Sequence, residues 1–355
     1  MKRKSQSMIK YIIKRIIIMV PMLIAVLIFT WLLSHMMSVN PITNKIGFTL
    51  DPDVYRRELR RLGFYDPWYI KLGNYLRNFF TGQWGESYIV SPSKQVVDII
   101  ADVFPKTIEL MIFSIVIVPI IAVKLGVLSA KNKNKGKDVI IRFAAILGAG
   151  FPVFWVATLL QRFVGIGIRN FTYGVIDIEV VFSNSPGLAR PVPPGGFSTG
   201  FRIIDSFLYN DPIYLWDTLI HLLLPVICMT IVSLAGITRL TRSTMLEVMD
   251  QDYIRTARAK GVLERDVINR HALRNALLPT SNLIIGGTAA ALLGSLFVEV
   301  TFNYRGFGWH MVQAIFTGDY LVINGLLVFS VIIILIGTLV TDVMYTIIDP
   351  RIVYR

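Results

Sequence analysis

The stretch Asp250-Gln251-Asp252-Tyr253-Ile254-Arg255-Thr256-Ala257-Arg258-Ala259-Lys260-Gly261 is short and polar, and it lies between two long apolar runs. Read locally, it is a helix of about two turns. Asp252 is placed to cap its N-terminus by accepting backbone N–H bonds. Gly261 is placed to end it in the left-handed conformation. Tyr253, Ala257 and Gly261 follow an i, i+4, i+8 row, so one face presents a ring and then small residues over which another protein can close. Arg255 and Arg258 share a second face. A basic connection between spans accounts for the arginines; it does not account for a helix with two stop signals and an aromatic-small-glycine stripe.

The surroundings set the class. The chain has 355 residues, of which 54% are apolar and 17% charged, with a mean hydropathy of +0.59. A soluble domain carries about 25% charged residues. Length alone suggests two soluble domains, but the apolar runs make a membrane the organising solvent. The net charge is +13. Basic chains often bind nucleic acid, yet membrane proteins also collect Lys and Arg on their cytoplasmic side, and no basic patch with interleaved aromatics appears. The single cysteine, Cys228, excludes an intrachain disulfide and a Cys-rich metal site.

A helix needs about 20 apolar residues to cross the hydrocarbon core. Six segments qualify: Ile13–Met36, Thr107–Leu128, Val139–Leu160, Leu215–Thr238, Ala276–Val298 and Leu321–Ile347. The first follows a basic N-terminus and lacks a small-residue cleavage site, so it reads as a retained span rather than a signal peptide; the pattern is intact from Met8, an alternative start. Arg142 intrudes near the start of the third and reaches the interface by its long stem. Lys and Arg number six up to Arg15, five in 129–142, eight in 239–275 and two after Asp349. The intervening connections hold four in 161–214 and one in 299–320, with nine in the long stretch 38–106, where length weakens the rule. The expectation is an all-α membrane protein with six transmembrane helices and both termini cytoplasmic. Residues 1–37 form the N-terminus and first span. Residues 38–106 form an outer segment whose patch Tyr55–Phe80 folds as short surface helices. Residues 107–355 form the core, with the cytoplasmic loop 239–275.

Carriers driven by protons or sodium keep acids or His near the midplane. Spans one, three and five have none in their central portions; Glu109, Lys124, Asp217, His221 and Asp342 lie towards span ends. The energy for transport then comes from a partner. The alternatives are a stand-alone secondary carrier, or a similar half working in an exporter or signalling complex. Phe151, Phe154, Trp155 and Phe297 are candidate path-lining aromatics, as is His221, although each also fits plain helix packing.

The run Arg239 to Pro279 resembles the Glu-Ala-Ala loop of ABC importer permeases, in the variant of the dipeptide/oligopeptide/nickel group. Arg239, Thr241, Arg242, Ser243, Met245, Leu246, Glu247 and Val248 match, as do Asp252 through Gly261 and Arg270 through Pro279, with Thr244 where Ser is usual. The likeness extends along the chain to Gly82-Gln83-Trp84-Gly85-Glu86-Ser87, His221 to Pro225, Glu299, Phe302, Gly306 and Gly308, and Asp349-Pro350-Arg351. Gln83 replaces an acid, Arg305 stands where Pro is usual, and Val39-Asn40-Pro41 is a reduced form of a longer motif. These departures lie on the outer side, where cargo is handled.

The resemblance implies a type I ABC importer permease fold in a prokaryotic cell membrane. It implies that the chain forms one half of a pore, with a second homologous permease subunit as the other half. Two cytoplasmic ATPase subunits and an extracellular substrate-binding protein complete the assembly. The implied cargo is peptides, with oligosaccharides or nickel chelates as the alternatives in the same group. It implies no catalysis and no cofactor in this chain, which has no G-x-x-x-x-G-K-[ST] loop. Tyr253, Ala257 and Gly261 are expected to seat the helix on the ATPase. Arg255, Arg258 and Lys260 are expected to pair with acids there, and Glu247 and Asp252 to brace and cap the helix.

Overall fold

The computed structural model describes residues 2–36, 53, 56–57, 60, 65–167, 185, 187–193 and 195–348. The described residues form helices and one isolated bridge, Glu86 to Gln95. Val39-Asn40-Pro41, the start of the Tyr55–Phe80 patch and Asp349-Pro350-Arg351 lie largely or wholly outside them, as do the side chains around Met8.

The chain divides into two compact units, Met1–Pro105 with Gly306–Leu339 and Tyr354–Arg355, and Lys106–Arg305 with Val340–Val353. In the first, α1 (Lys2–Met36) carries the short helix α2 (Trp68–Phe80), and a hydroxyl bond of 3.1 Å joins Thr30 to Tyr75. The long helix α3 (Val96–Lys131) begins here. So do α11 (Phe307–Thr317) and α12 (Tyr320–Ile348), with Gly318 left-handed between them. The buried carboxylate of Asp319 organises the turn before α3. Its Oδ2 accepts from Ser87 Oγ at 2.6 Å and from the backbone N–H groups of Tyr88, Ile89 and Val90 at 3.0, 3.0 and 3.2 Å. Such a nest of amides is an anion site filled from within the chain.

The second unit is built around α7 (Pro212–Met249), which Asp211 caps by accepting from the Tyr214 N–H at 2.9 Å. Pro212 starts the helix, where its missing N–H costs nothing. α7 packs on α4 (Gly136–Gly150), α5 (Val153–Leu159), α6 (Arg202–Leu208) and α10 (Leu273–Thr301). Small residues permit close approach, as in membrane helix packing generally. A Cβ on Gly126 of α3 would lie 2.5 Å from Thr241 Cβ, and one on Gly148 of α4 would lie 3.1 Å from the Ile231 carbonyl.

Among the described residues, four helices are long and apolar enough to cross a membrane: Lys10–Leu33, Val96–Lys131, Pro212–Met249 and Tyr320–Met344. The expected third span, Val139–Leu160, is corrected. It is a pair of helices, Gly136–Gly150 and Val153–Ile166, bent by 109°. The break falls at Phe151, which is extended at φ −96°, ψ 138°, a conformation that the following Pro152 favours. Counting the pair as one span gives five. The remaining expected segment, Ala276–Val298, falls within α10, a continuous helix of 29 residues.

Two buried charge clusters pin the ends of the second unit. At one end, Arg202 is 1% exposed, stacks 4.9 Å over the Tyr304 ring, bonds its hydroxyl, and lies 3.4 Å from Glu109. Glu109 also accepts from the Ile203 N–H at 2.8 Å, which holds α6 against α3. At the other end, Asp138 at the start of α4 is fully buried. It receives both arms of Arg242 of α7, at 2.7 and 2.8 Å, together with Ser129 Oγ and the Asn134 N–H. Breaking a buried pair from one side leaves an uncompensated charge, costing about 3–5 kcal/mol. Arg242→Ala is therefore expected to lower the thermal midpoint of the purified protein clearly, and Arg242→Lys to recover only part, having no fork to grip both oxygens. An unchanged midpoint in Arg242→Ala would refute the clamp.

Candidate functional site

The loop after α7 turns at Asp250 and Gln251, and α8 runs Asp252–Ala259. The expected cap is corrected. Gln251 is the extended N-cap residue, at ψ 149°, with no side-chain cap bond, and Asp252 is already the first helical residue. There its negative charge still complements the helix dipole. Its carboxylate is 95% exposed and lies 3.4 Å from Arg255.

The C-terminus follows the expected form. Gly261 has φ +76°. Its N–H donates to the Arg258 carbonyl at 2.9 Å, and the Val262 N–H to the Ala257 carbonyl at 3.2 Å. These two bonds make a Schellman ending, with the apolar pair Ala257 and Val262 across it. Nothing lies within 4 Å of a Cβ placed on Gly261, so the demand for glycine comes from the backbone alone.

The anchor of α8 is Ile254, which is fully buried. It sits in a cluster with Ala130 of α3, Met245 of α7, Val267, Ile268 and Ala272 of the segment entering α10, and Ala276 in the first turn of α10. That segment comprises a short turn, α9 (Glu264–Asp266), and the π-helical stretch Val267–Ala272. One short helix is thus seated on the ends of three long ones. Burying a side chain of this size contributes about 1.5–3 kcal/mol.

The predicted stripe divides. Ala257 turns inward and packs with Ile254, so it does not face outward with Tyr253 and Gly261. Tyr253 stays 43% exposed, its hydroxyl accepting from Asn275 Nδ2 at 2.7 Å. The outer surface is formed by Asp252, Tyr253, Arg255, Thr256, Ala259, Lys260 and Gly261, continued by Leu263, which is 73% exposed. Arg258 is engaged within the loop, donating to both oxygens of Glu264 at 3.1 and 2.9 Å. This pairing holds the Glu264 carboxyl below its usual range and raises the Arg258 guanidinium. Glu247 is exposed on α7, and its carbonyl receives a 3.5 Å contact from Gln251. Within the loop, Glu264 and Ile254 also brace α8. Ile254 had a signal in the sequence, as the one large aliphatic residue in a polar helix. Glu264 had none, since an ion pair across a glycine turn follows no helical spacing.

The candidate path residues lie elsewhere. Phe151 and Trp155 stack at 4.2 Å at the bend between α4 and α5. Phe154 and Phe297 are each 51% exposed. His221 is buried on α7, with Nδ1 2.8 Å from the Asp217 carbonyl of its own preceding turn, which is the geometry of a packing histidine. Among the described residues there is no group of His, Cys, Asp and Glu suited to a metal.

A model of the family described as binding-protein-dependent transport system inner membrane component matches residues 122–354, which include the whole loop. The dipeptide transport system permease protein DppB of Alkalihalophilus pseudofirmus is 33% identical over 98% of this chain and 100% of that protein. The oligopeptide transport system permease protein AppB of Bacillus subtilis is 32% identical over 98% and 100%. The di/tripeptide transport system permease protein DppB of Pseudomonas aeruginosa is 30% identical over 97% and 99%.

If Ile254 is what seats α8, Ile254→Asp will release it, because a buried carboxylate has no partner in that cluster. Trypsin cleavage at Arg255, Arg258 and Lys260 in inside-out vesicles should then accelerate, while Ile254→Val should leave it near the original rate. Equal protection of Ile254→Asp would contradict the anchoring.

Proposed function

The chain belongs to the family of binding-protein-dependent transport system inner membrane components, and on that premise we propose that α8 is the helix through which an ATPase drives it. As a membrane component, the chain is a permease subunit without catalysis of its own, and ATP hydrolysis belongs to separate subunits. The observation that carries the reading is the seating of α8: Ile254 is fully buried among three helix ends, while the opposite face of the same helix is exposed. A lever needs both a rigid attachment and a free surface.

In this account six spans cross the membrane with both termini in the cytoplasm, the charge distribution supporting that orientation. A second permease of the same kind completes the pore. Two ATPase subunits receive the two short helices, and a binding protein delivers cargo from outside. Tyr253 and Leu263 supply the apolar contact of the exposed face, and Arg255 and Lys260 its positive charge. Closure of the ATPase pair moves α8, and α3, α7 and α10 move with it, switching the pore by rigid-body rotation. The cargo is peptides, a reading supported by the relatives' names and their near-complete overlap with this chain.

Two experiments test this. Gly261→Leu forces a branched residue into the left-handed region, at about 1–2 kcal/mol, and distorts the end of α8. It is expected to abolish uptake in the assembled transporter while the chain still inserts; normal substrate-stimulated ATP hydrolysis would overturn the docking role. Calorimetric titration of the cognate binding protein is expected to show binding of short peptides and none of oligosaccharides or nickel chelates. The reverse order would overturn the cargo.

A further inference from the structure

Beside the seat of α8 lies a groove of about 300 Å³ between the last turns of α3 and the segment that enters α10. Its floor is apolar, made by Val123, Val127, Ile268 and Leu273. Its rim carries three cations, Lys124, Lys131 and Arg265. Lys124, Val127 and Lys131 are i, i+3, i+7 on α3, and Arg265, Ile268 and Asn269 are i, i+3, i+4 on the facing segment. Both elements therefore turn one charged and apolar stripe into the same space.

The three cations are exposed, and no ion pair or hydrogen bond joins them to an acid among the described residues. The acids nearby are already engaged. Glu264, which feels Lys131, is held by both arms of Arg258, and Asp266 lies 3.4 Å from Arg270. Lys124 is the more telling cation. It lies about 10 Å along α3 from Lys131, inside the apolar run of that helix. An ammonium beside apolar side chains calls for an anion. Lys124 is close enough to the end of α3 for its long stem to reach the interface, where the abundant anion is a lipid phosphate.

We infer that this groove binds one anionic phospholipid, its phosphate held by Lys124, Lys131 and Arg265 with Asn269 as a hydrogen-bond donor, and an acyl chain lying on Val127, Ile268 and Leu273. The apolar floor distinguishes a lipid from a soluble phosphate, and the +3 rim distinguishes an anionic headgroup from a zwitterionic one. The site joins α3 to the segment packed under α8, so an occupied groove stiffens the attachment that the transport mechanism needs. The inference rests on that reading only for the membrane face at which the lipid is found.

The test uses the whole transporter. Native mass spectrometry after reconstitution in mixed phosphatidylglycerol and phosphatidylcholine should show one phosphatidylglycerol retained per copy of this chain. Neutralising variants Lys124→Gln, Lys131→Gln and Arg265→Gln should each reduce retention about fivefold, the factor corresponding to about 1 kcal/mol per cation near a charged surface. A photo-crosslinking residue placed at Asn269 should form a lipid adduct. Equal retention of the two lipids, or no change in the variants, would overturn the proposal. So would displacement of the lipid by millimolar inorganic phosphate, or an adduct to a partner subunit in place of lipid. Lipid retention without ATP-coupled uptake would sink the transport reading and leave this site standing.

Discussion

The burial of one isoleucine constrains the loop after α7 more than its charges do. Ile254 sits in a pocket built by α3, α7 and the entry to α10, so α8 cannot move without taking those helix ends along. Protein interiors are packed too densely to absorb such a displacement by sliding. The Asp138–Arg242 clamp extends the same body to α4, and Gly126 and Gly148 bring the backbones of α3 and α4 against α7. Arg258 and Glu264 then lock the turn that follows α8. The result is a lever whose fulcrum is apolar and whose corners are charged.

Buried carboxylates repeat this logic away from the loop. In the second unit Glu109 holds the start of α6, and Asp205 accepts from Ser198, Thr199 and the Thr199 N–H, ordering the segment before it. In the first unit Asp319 gathers three consecutive amides and a serine. Asp205 and Asp319 take donors from irregular segments, whose N–H groups have no helical partners, and Glu109 takes a first-turn N–H of α6, which has none either. Long connections thereby gain fixed conformations without needing an apolar core of their own.

Much of this was legible from residues. Apolar runs located the long helices, because nothing else satisfies the backbone in lipid. The polar stretch ending in Gly261 announced α8. Three features were not legible, each for a physical reason. Hydropathy averages over a window, so the break at Phe151-Pro152 was absorbed into one span. A helical wheel places Ala257 in line with Tyr253 but cannot say which side the core lies on; Ile254 decides that, and its partners come from three other elements. The pairing of Ser87 with Asp319 joins residues 232 positions apart, and no local pattern carries such information. Gly82 to Ser87 was recognised as a motif, yet the role of its last residue, whose hydroxyl joins the amides of Tyr88, Ile89 and Val90 on the Asp319 carboxylate, appears only in the fold.

The central claim is that α8 and the ends of α3, α7 and α10 form one rigid body throughout the transport cycle. The most direct measurement is the distance between spin labels at Thr256→Cys and Lys133→Cys, both exposed sites, with the single native thiol, Cys228, buried and inert to labelling. In the complete transporter, pulsed dipolar spectroscopy should return the same narrow distribution without nucleotide and with ATP trapped. A shift of about 5 Å, one helical turn, between the two states would contradict the account.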